Sequence, residues 1–365
     1  MVASSPSLSP VLITGGCGFI GSHLIEHLHA IDPSCEIHVI DNYTSRTFLP
    51  SVKYYMYDVS AANAVDLVML EAKPRTIFHI ACPDSMVVDP ELFERVNVGG
   101  TRNLLASATK VGTVQAFVFT STSSVIHDNV SDLIDADETL PILRPPFQKR
   151  IYTLTKATAE EEIIAANRKD GDRSMLTVSL RPCTAIGERD TICLGKMISR
   201  AEEGKMKFQM GNGKNIYDFM YVGNLVDAHV LAARALVKAY GKPPPPAEQR
   251  VDGENINITN DERVLFWDLA RNVSAAAGHP VKKEEIIVIP AWVGLCMAWV
   301  SEWVTWVRGV QPPTMTLEAV HFSIINRTLN IDKAKRVLGY RPMVSIDEGI
   351  KRGVGWYMEN RGSSE

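Results

Sequence analysis

A tyrosine and a lysine four residues apart, Tyr152 and Lys156 in the run YTLTK, are the residues whose spacing points most directly to chemistry. On a helix, positions i and i+4 share one face. A phenol with its ordinary pKa of about 10 is a poor base at neutral pH. A lysine ammonium one turn away favours the phenolate and brings proton transfer within reach. Alone, such a pair is an ordinary helix-surface pair. Two further stretches give it meaning. The hydroxyl run FTSTSS at 119–124 follows an apolar segment, and a hydroxyl there can orient a substrate oxygen, although it also suits a plain turn. The run VLITGGCGFIG at 11–21 reads as a buried strand, a glycine turn and the start of a helix. Together they describe a phenolate that takes an alcohol proton while hydride leaves the carbon for a nicotinamide.

Gly15, Gly18 and Gly21 follow a G-x-x-G-x-x-G spacing, with Phe19 and Ile20 opening the helix. Such a turn lets the backbone approach a pyrophosphate, and the helix start offers free N–H groups and a positive dipole end. Asp41 ends the next apolar run, 36–40, and suits the ribose hydroxyls, which favours NAD. Arg46 lies near enough to keep NADP open. A third strand at 52–57 ends at Asp58 and Val59, where an acid either meets the adenine amino group or caps a loop. A fourth, 76–81, ends in Ala81-Cys82-Pro83, small enough to let a cofactor pass. His79, inside that apolar run, reads as a core histidine. A helix at 93–108 carries Asn97, placed either to fix a water or carbonyl near the site or simply to pack. Residues 128–150 read as a loop, and 176–180 as a strand leading to Arg181 and Pro182, the latter grouped with the cofactor contacts. The catalytic set is Tyr152 and Lys156 with a hydroxyl of the 119–124 run. The pattern is α/β: a Rossmann-type doubly wound parallel sheet at 1–189 and a smaller C-terminal substrate lobe at 190–365, with a segment exchanged back to the sheet left open.

The 365 residues, 45% hydrophobic and 22% charged, are ordinary globular material. A net charge of −4 argues against a nucleic-acid partner. Six scattered cysteines without a CxxC or Cys/His cluster argue against zinc and disulfides and suit a reducing compartment. The first ten residues have neither a basic nor an apolar signal region, so a frayed leader is expected. Residues 286–310 are strongly apolar and carry Trp292, Trp299, Trp303 and Trp306. On a helix these indoles fall within an arc of about 60°. Glu302 and Arg308 interrupt the run, so a full membrane span is not expected. Three readings compete: a core-facing helix, a wall for a lipophilic substrate, and a helix on a membrane surface.

With these residues placed, the chain resembles an extended short-chain dehydrogenase/reductase. More narrowly it is similar to the 3β-hydroxysteroid dehydrogenase group, and above all to fungal C-3 sterol dehydrogenases that remove a C-4 carboxylate. The resemblance runs from residue 11 to about 358. TGGCGFIG (14–21), NVGGT (97–101), FTSTSS (119–124) and YTLTK (152–156) are general; ADETLPI (136–142), KFQMGNGKNIYDFMYVGNLVDAHVLAA (207–233), SEWV (301–304) and KAKRVLGYRP (333–342) are narrower. It implies NAD(P) and oxidation of a 3-hydroxyl on a steroid or triterpenoid skeleton, with loss of a 4-carboxylate from the resulting β-keto acid. It also implies Tyr152 and Lys156 as catalytic, and a homodimer paired through helices. The family's catalytic serine is Thr122 here, with Ser121 and Ser123 as neighbours. Gly187-Glu188-Arg189-Asp190 replaces the usual Gly-Pro-Gly-Asp, an expected change in the substrate rim that suits specialised terpenoid (secondary) metabolism. The cytosol or the cytosolic face of the endoplasmic reticulum is the expected location. Three alternatives remain: a plain 3-hydroxysteroid dehydrogenase, a sugar-nucleotide epimerase or dehydratase, and an NAD(P)-sensing scaffold. The apolar 286–310 stretch speaks against the second, and the intact Tyr/Lys pair against the third.

Overall fold

The computed structural model describes residues 6–43, 49–85, 87, 89–308 and 315–361. Short apolar runs unbroken by polar positions form strands covered on both faces. They are β1 (Val11–Thr14), β2 (Ile37–Asp41), β3 (Val52–Met56), β4 (Thr76–His79), β5 (Ala116–Thr120), β6 (Leu176–Pro182) and β7 (Glu254–Ile258). All are parallel, in the spatial order 7-6-5-4-1-2-3. The order reverses between β1 and β4, and ligands of such sheets bind beyond the strand ends at that point.

Successive residues of each strand face opposite sides. Val11, Ile13 and Val39 pack with Leu24, Ile25 and Leu28 of helix Phe19–Ile31 and with Leu225, Val226 and Leu236 of helix Val222–Ala239. Leu12, Ile40 and Ile77 pack against helices Ala62–Ala72, Gly100–Val111 and Ile151–Ala165 through Val65, Val68, Leu104 and Ile163. One covering helix and β7 thus come from the part of the chain beyond residue 190.

Leu133–Ala136, Thr184–Ile186, Ile216–Tyr221, Arg263–Leu265 and Arg327–Leu329 form a second sheet, and Phe208–Met210 pairs with Ile287–Ile289 in a third. Helices Leu194–Glu202, Phe266–Ala276 and Ile346–Asn360 share a separate apolar cluster with the second sheet. The stretch 128–150 is therefore not all loop. Leu133–Ala136 is a strand whose partner, Arg327–Leu329, lies far along the chain, so no local pattern announces it. The helix expected at 93–108 is also broken up. A short turn, Pro90–Phe93, leads into a π-helical turn, Glu94–Gly99, before helix Gly100–Val111.

The tryptophan-rich segment forms helix Ala291–Arg308, in which only Gly294 and Ala298 are buried. Trp292, Trp299, Trp303 and Trp306 are 69%, 58%, 52% and 78% exposed, which rules out the core-facing reading. The helix leans on Leu317–Ile324 through Glu302, which accepts the Leu317 N–H at 2.8 Å. Among the described residues no helix is long and apolar enough to cross a membrane.

Candidate active site

Helix Ile151–Ala165 carries Tyr152 and Lys156, and a buried ion pair holds it to β6. Glu160, one turn beyond Lys156, accepts from Arg181 Nη2 at 2.5 Å and Nε at 3.0 Å, and from Ser179 Oγ at 2.8 Å. Both partners of the pair are buried. Lys156 is buried too. Its Nζ donates to the Thr120 carbonyl at 2.8 Å and lies 4.7 Å from the Phe119 ring centre. Burial lowers its pKa. Burial also pushes the Tyr152 hydroxyl above its ordinary value, with the Cys82 thiol adding to the rise. A hydrogen bond with Thr122 and the charges of Arg150 and Arg327 act against it. The sequence argument gave that restraining role to Lys156. The structure turns Lys156 to the Thr120 carbonyl, and Thr122, Arg150 and Arg327 are the groups that oppose the rise. Arg150, just before the helix, has its guanidinium carbon 5.4 Å from the Tyr152 ring centre.

The hydroxyl run is resolved into separate duties. Thr122 meets Tyr152, and its Oγ1 also accepts the Ser124 N–H at 3.2 Å. Ser123 and Ser124 instead accept from Arg327 Nη2 at 3.2 and 2.8 Å. The Ser121 hydroxyl is buried without a partner among the described residues.

The glycine turn sits at the β1–β4 reversal. Gly15 has φ +72°, and a Cβ there would lie 2.7 Å from the Ala81 Cα, so the turn rests directly on the end of β4. Gly21 lies so close beneath the Gly15 carbonyl that a side chain would collide with it. Gly18 caps helix Phe19–Ile31 without a side-chain acceptor, and the first turn carries no acid. The N–H groups of Phe19 and Ile20 are therefore open to an anion. Asp41 ends β2, where its carboxylate accepts the N–H groups of Cys17 at 2.9 Å and Tyr43 at 3.1 Å. Burial raises its pKa. Beside it is a cavity of about 200 Å³ lined by Cys17, Tyr43, Tyr54 and Met56. The uncapped helix start and the acid at the β2 end fit a dinucleotide. Arg46 lies outside the described residues. Asp58 accepts the Ser60 N–H at 2.8 Å in a loop cap, and Val59 is buried, its carbonyl accepting from Asn103 at 3.1 Å. Pro182 is buried at the end of β6, paired with Ile258 of β7.

Asn97 lies in the π turn, a feature that often marks functional sites. Its amide donates to Thr155 Oγ1 on the catalytic helix at 3.0 Å and bonds the Cys82 thiol, while its Oδ1 is buried with no partner among the described residues. His79 contacts Thr14 Oγ1 at 2.7 Å and Thr101 Oγ1 at 2.9 Å, and burial lowers its pKa to about 3. It is a neutral core residue. The segment at 187–190, expected on the substrate rim, is engaged elsewhere. Arg189 pairs with Glu26 at 2.6 Å, the Glu188 carbonyl meets His23 at 2.9 Å, and Asp190 accepts three backbone N–H groups that follow it. Sequence reasoning missed Arg150, Arg327 and Glu160. Arg327 acts on Tyr152 from far along the chain and Glu160 acts through Arg181, while Arg150 stands two residues before Tyr152 with no spacing rule to mark it.

The family model for the 3-beta hydroxysteroid dehydrogenase/isomerase family matches residues 12–289. The chain is 37% identical over 360 residues to the sterol-4-alpha-carboxylate 3-dehydrogenase, decarboxylating, of Saccharomyces cerevisiae, covering 96% of this chain and 99% of that one. It is 32% identical to the mouse protein of the same description, covering 94% and 89%. Among solved structures, the Bordetella bronchiseptica enzyme WbmH in complex with NAD+ superposes with a TM-score of 0.71 at 19% identity, covering 97% and 99%. UDP-glucose 4-epimerase of Thermotoga maritima gives 0.70 at 22%, covering 96% and 99%; at these identities the likeness concerns the fold. Sheet, glycine turn, Tyr/Lys helix and full-length relatives agree: the chain belongs to the 3-beta hydroxysteroid dehydrogenase/isomerase family.

Proposed function

We propose that the protein oxidises the 3β-hydroxyl of a sterol or triterpenoid carrying a carboxylate on the neighbouring carbon, with NAD as cofactor, and that carbon dioxide is then lost. The observation that carries this reading is the Tyr152/Lys156 helix set against the hydroxyl run at the end of β5, Lys156 Nζ donating to the Thr120 carbonyl at 2.8 Å, in a chain whose full-length relatives are described as decarboxylating sterol-carboxylate dehydrogenases. Thr122 holds the substrate oxygen, and Tyr152 as phenolate takes its proton. Arg150 and Arg327 favour the phenolate, and Lys156 braces the end of β5 through the Thr120 carbonyl. The bound dinucleotide supplies the hydride acceptor. Gly15, Gly18, Phe19, Ile20 and Gly21 would hold its pyrophosphate and Asp41 its ribose, with Asp58, Val59, Ala81, Asn97 and Pro182 along its path. The acid at Asp41 supports NAD over NADP. The ketone formed beside a carboxylate is a β-keto acid, which loses carbon dioxide through its enol. Residues 1–189 would serve mainly the cofactor and 190–365 mainly the substrate. The assay follows NADH and carbon dioxide together on a 3β-hydroxy-4-carboxy sterol and on triterpenoid analogues of specialised biosynthesis. Equal amounts, abolished by Tyr152→Phe, are expected. NADH without carbon dioxide would leave a plain 3-hydroxy dehydrogenase, and turnover of sugar nucleotides instead would overturn the reading.

The exposed indoles of helix Ala291–Arg308 support a second element, peripheral attachment to a membrane, with the cytosolic face of the endoplasmic reticulum as the proposed site. Vesicle flotation tests it. Paired Trp299→Ser and Trp303→Ser changes should release the protein, and unchanged flotation would remove this element. A homodimer through helices Gly100–Val111 and Ile151–Ala165, whose outer faces flank a cavity of about 690 Å³, is inferred by analogy with extended relatives. Sedimentation equilibrium tests it.

A further inference from the structure

We infer that Arg327 is a carboxylate-binding subsite that makes the enzyme select alcohols bearing an acid group on the adjacent carbon. The inference rests on the oxidative reading above and adds the residue that recognises the acid.

Arg327 opens the strand Arg327–Leu329 and is only 7% exposed. Its guanidinium is bounded by neutral groups. Nη1 donates to the Tyr217 hydroxyl at 3.0 Å, and Nη2 to Ser124 at 2.8 Å and Ser123 at 3.2 Å. The rings of Phe322 and Tyr217 lie 5.6 and 5.8 Å away. Among the described residues no carboxylate pairs with it, whereas the buried Arg181 has Glu160 and Arg150 has Glu318. A buried cation without a counter-ion is costly. Nη2 spends both protons on Ser123 and Ser124, so an acid would meet the guanidinium at a remaining Nη1 or Nε proton, in a single charge-assisted hydrogen bond. The missing anion is thus a ligand in kind.

Position supplies the rest. Ser123 and Ser124, which hold Arg327, directly follow Thr122, the residue that meets Tyr152. The charge of Arg327 reaches the Tyr152 hydroxyl. An alcohol seated on Thr122 and Tyr152 would therefore place an acid group one carbon away towards the arginine. Holding that acid fixes which face of the alcohol carbon is presented. A plain 3-hydroxysterol would enter the same site and leave Arg327 unpaired.

The test compares two sterols matched except for the 4-carboxylate, assayed with NAD on wild type, Arg327→Met and Arg327→Lys. NADH binding by fluorescence verifies that each variant is folded. The ratio of kcat/KM values, carboxylated over plain, is expected to fall by about 30-fold or more in Arg327→Met, chiefly through KM. Arg327→Lys keeps the charge without the planar hold on Ser123, Ser124 and Tyr217 and should retain part of the preference. Equal losses on both sterols would make Arg327 a mere prop for the Ser123–Ser124 turn and overturn the inference, with the oxidative reading intact. A wild type that oxidises neither sterol would bring down that reading and the inference together.

Discussion

Replacing Thr122 by valine removes one hydroxyl while keeping the branched shape that packs after β5. Two losses follow. Thr122 caps the turn Ser123–Ile126 by accepting the Ser124 N–H at 3.2 Å, and loss of such a cap costs about 1 kcal/mol of stability. It also bonds the Tyr152 hydroxyl and helps hold its pKa down against burial. Without that bond the phenol ionises at higher pH, so the rising limb of kcat/KM should move to more alkaline pH. In the substrate complex Thr122 turns its one proton to the reacting oxygen, and removing it should lower kcat by roughly 10²–10³-fold, about 2.7–4 kcal/mol of transition-state stabilisation. The rate term exceeds the folding term, so the variant should remain folded at 25 °C and be nearly inactive at pH 7. Thr122→Ser should restore most of the rate. Ser121→Ala removes a buried hydroxyl that has no partner and should alter turnover little. Steady-state kinetics from pH 6 to 10 on the four proteins decides the matter. A near-normal Thr122→Val beside an inactive Ser121→Ala would refute the assignment.

Three other outcomes follow from the geometry. Gly15→Ala forces a side chain onto the Ala81 backbone at φ +72°, with strain of about 1–2 kcal/mol from the left-handed backbone alone; NADH affinity should fall about tenfold or more by fluorescence titration while far-UV circular dichroism is retained. Burial lowers His79 to about 3 and His229 to about 4, below the unfolded value of 6.5, so the unfolded chain binds more protons. Their contribution is complete above pH 6.5 and is lost as pH falls towards 4, at about 1.4 kcal/mol per pH unit for each histidine; urea unfolding at pH 7, 6 and 5 checks this, and a flat profile would contradict it. Glu160→Gln leaves Arg181 buried without a full counter-charge and should cost about 3–5 kcal/mol in urea unfolding, much of it recovered when both residues become methionine.

How far the molecule was legible from its residues depended on whether the signal was local. The first six strands of the main sheet, the glycine turn and the Tyr152/Lys156 helix each announce themselves within a few residues, through apolar runs, a glycine spacing or an i, i+4 pair. β7 and Leu133–Ala136 do not. Their strand character comes from partners such as Leu176–Pro182 and Arg327–Leu329, supplied by the fold. The π turn at Glu94–Gly99 has no compositional mark; the contact of its Asn97 with Thr155 joins residues 58 apart in sequence. The tryptophan stripe was periodic enough to identify a helix with one indole face. Periodicity cannot say whether that face meets protein, substrate or solvent, and the structure leaves it exposed. Within FTSTSS, five hydroxyls compete on equal terms until Arg327, from the far end of the chain, takes Ser123 and Ser124 and leaves Thr122 to Tyr152.

The same long-range contacts join the exposed helix to the chemistry. Glu302, on the helix with the four indoles, accepts the backbone N–H of Leu317 at 2.8 Å. The next residue, Glu318, pairs with Arg150 at 3.0 Å, and Arg150 lies over the Tyr152 ring and restrains its pKa. If the indole face rests on lipid, as proposed, these three contacts link the helix on the bilayer surface to the phenol that takes the proton. A hydrophobic alcohol could then pass from lipid to the site with little exposure to water, while its acid group found Arg327, which is buried and has no counter-ion among the described residues. Lipid attachment and carboxylate selection would be two parts of one solution: the first concentrates a hydrophobic substrate, and the second sorts it from neutral alcohols of the same skeleton.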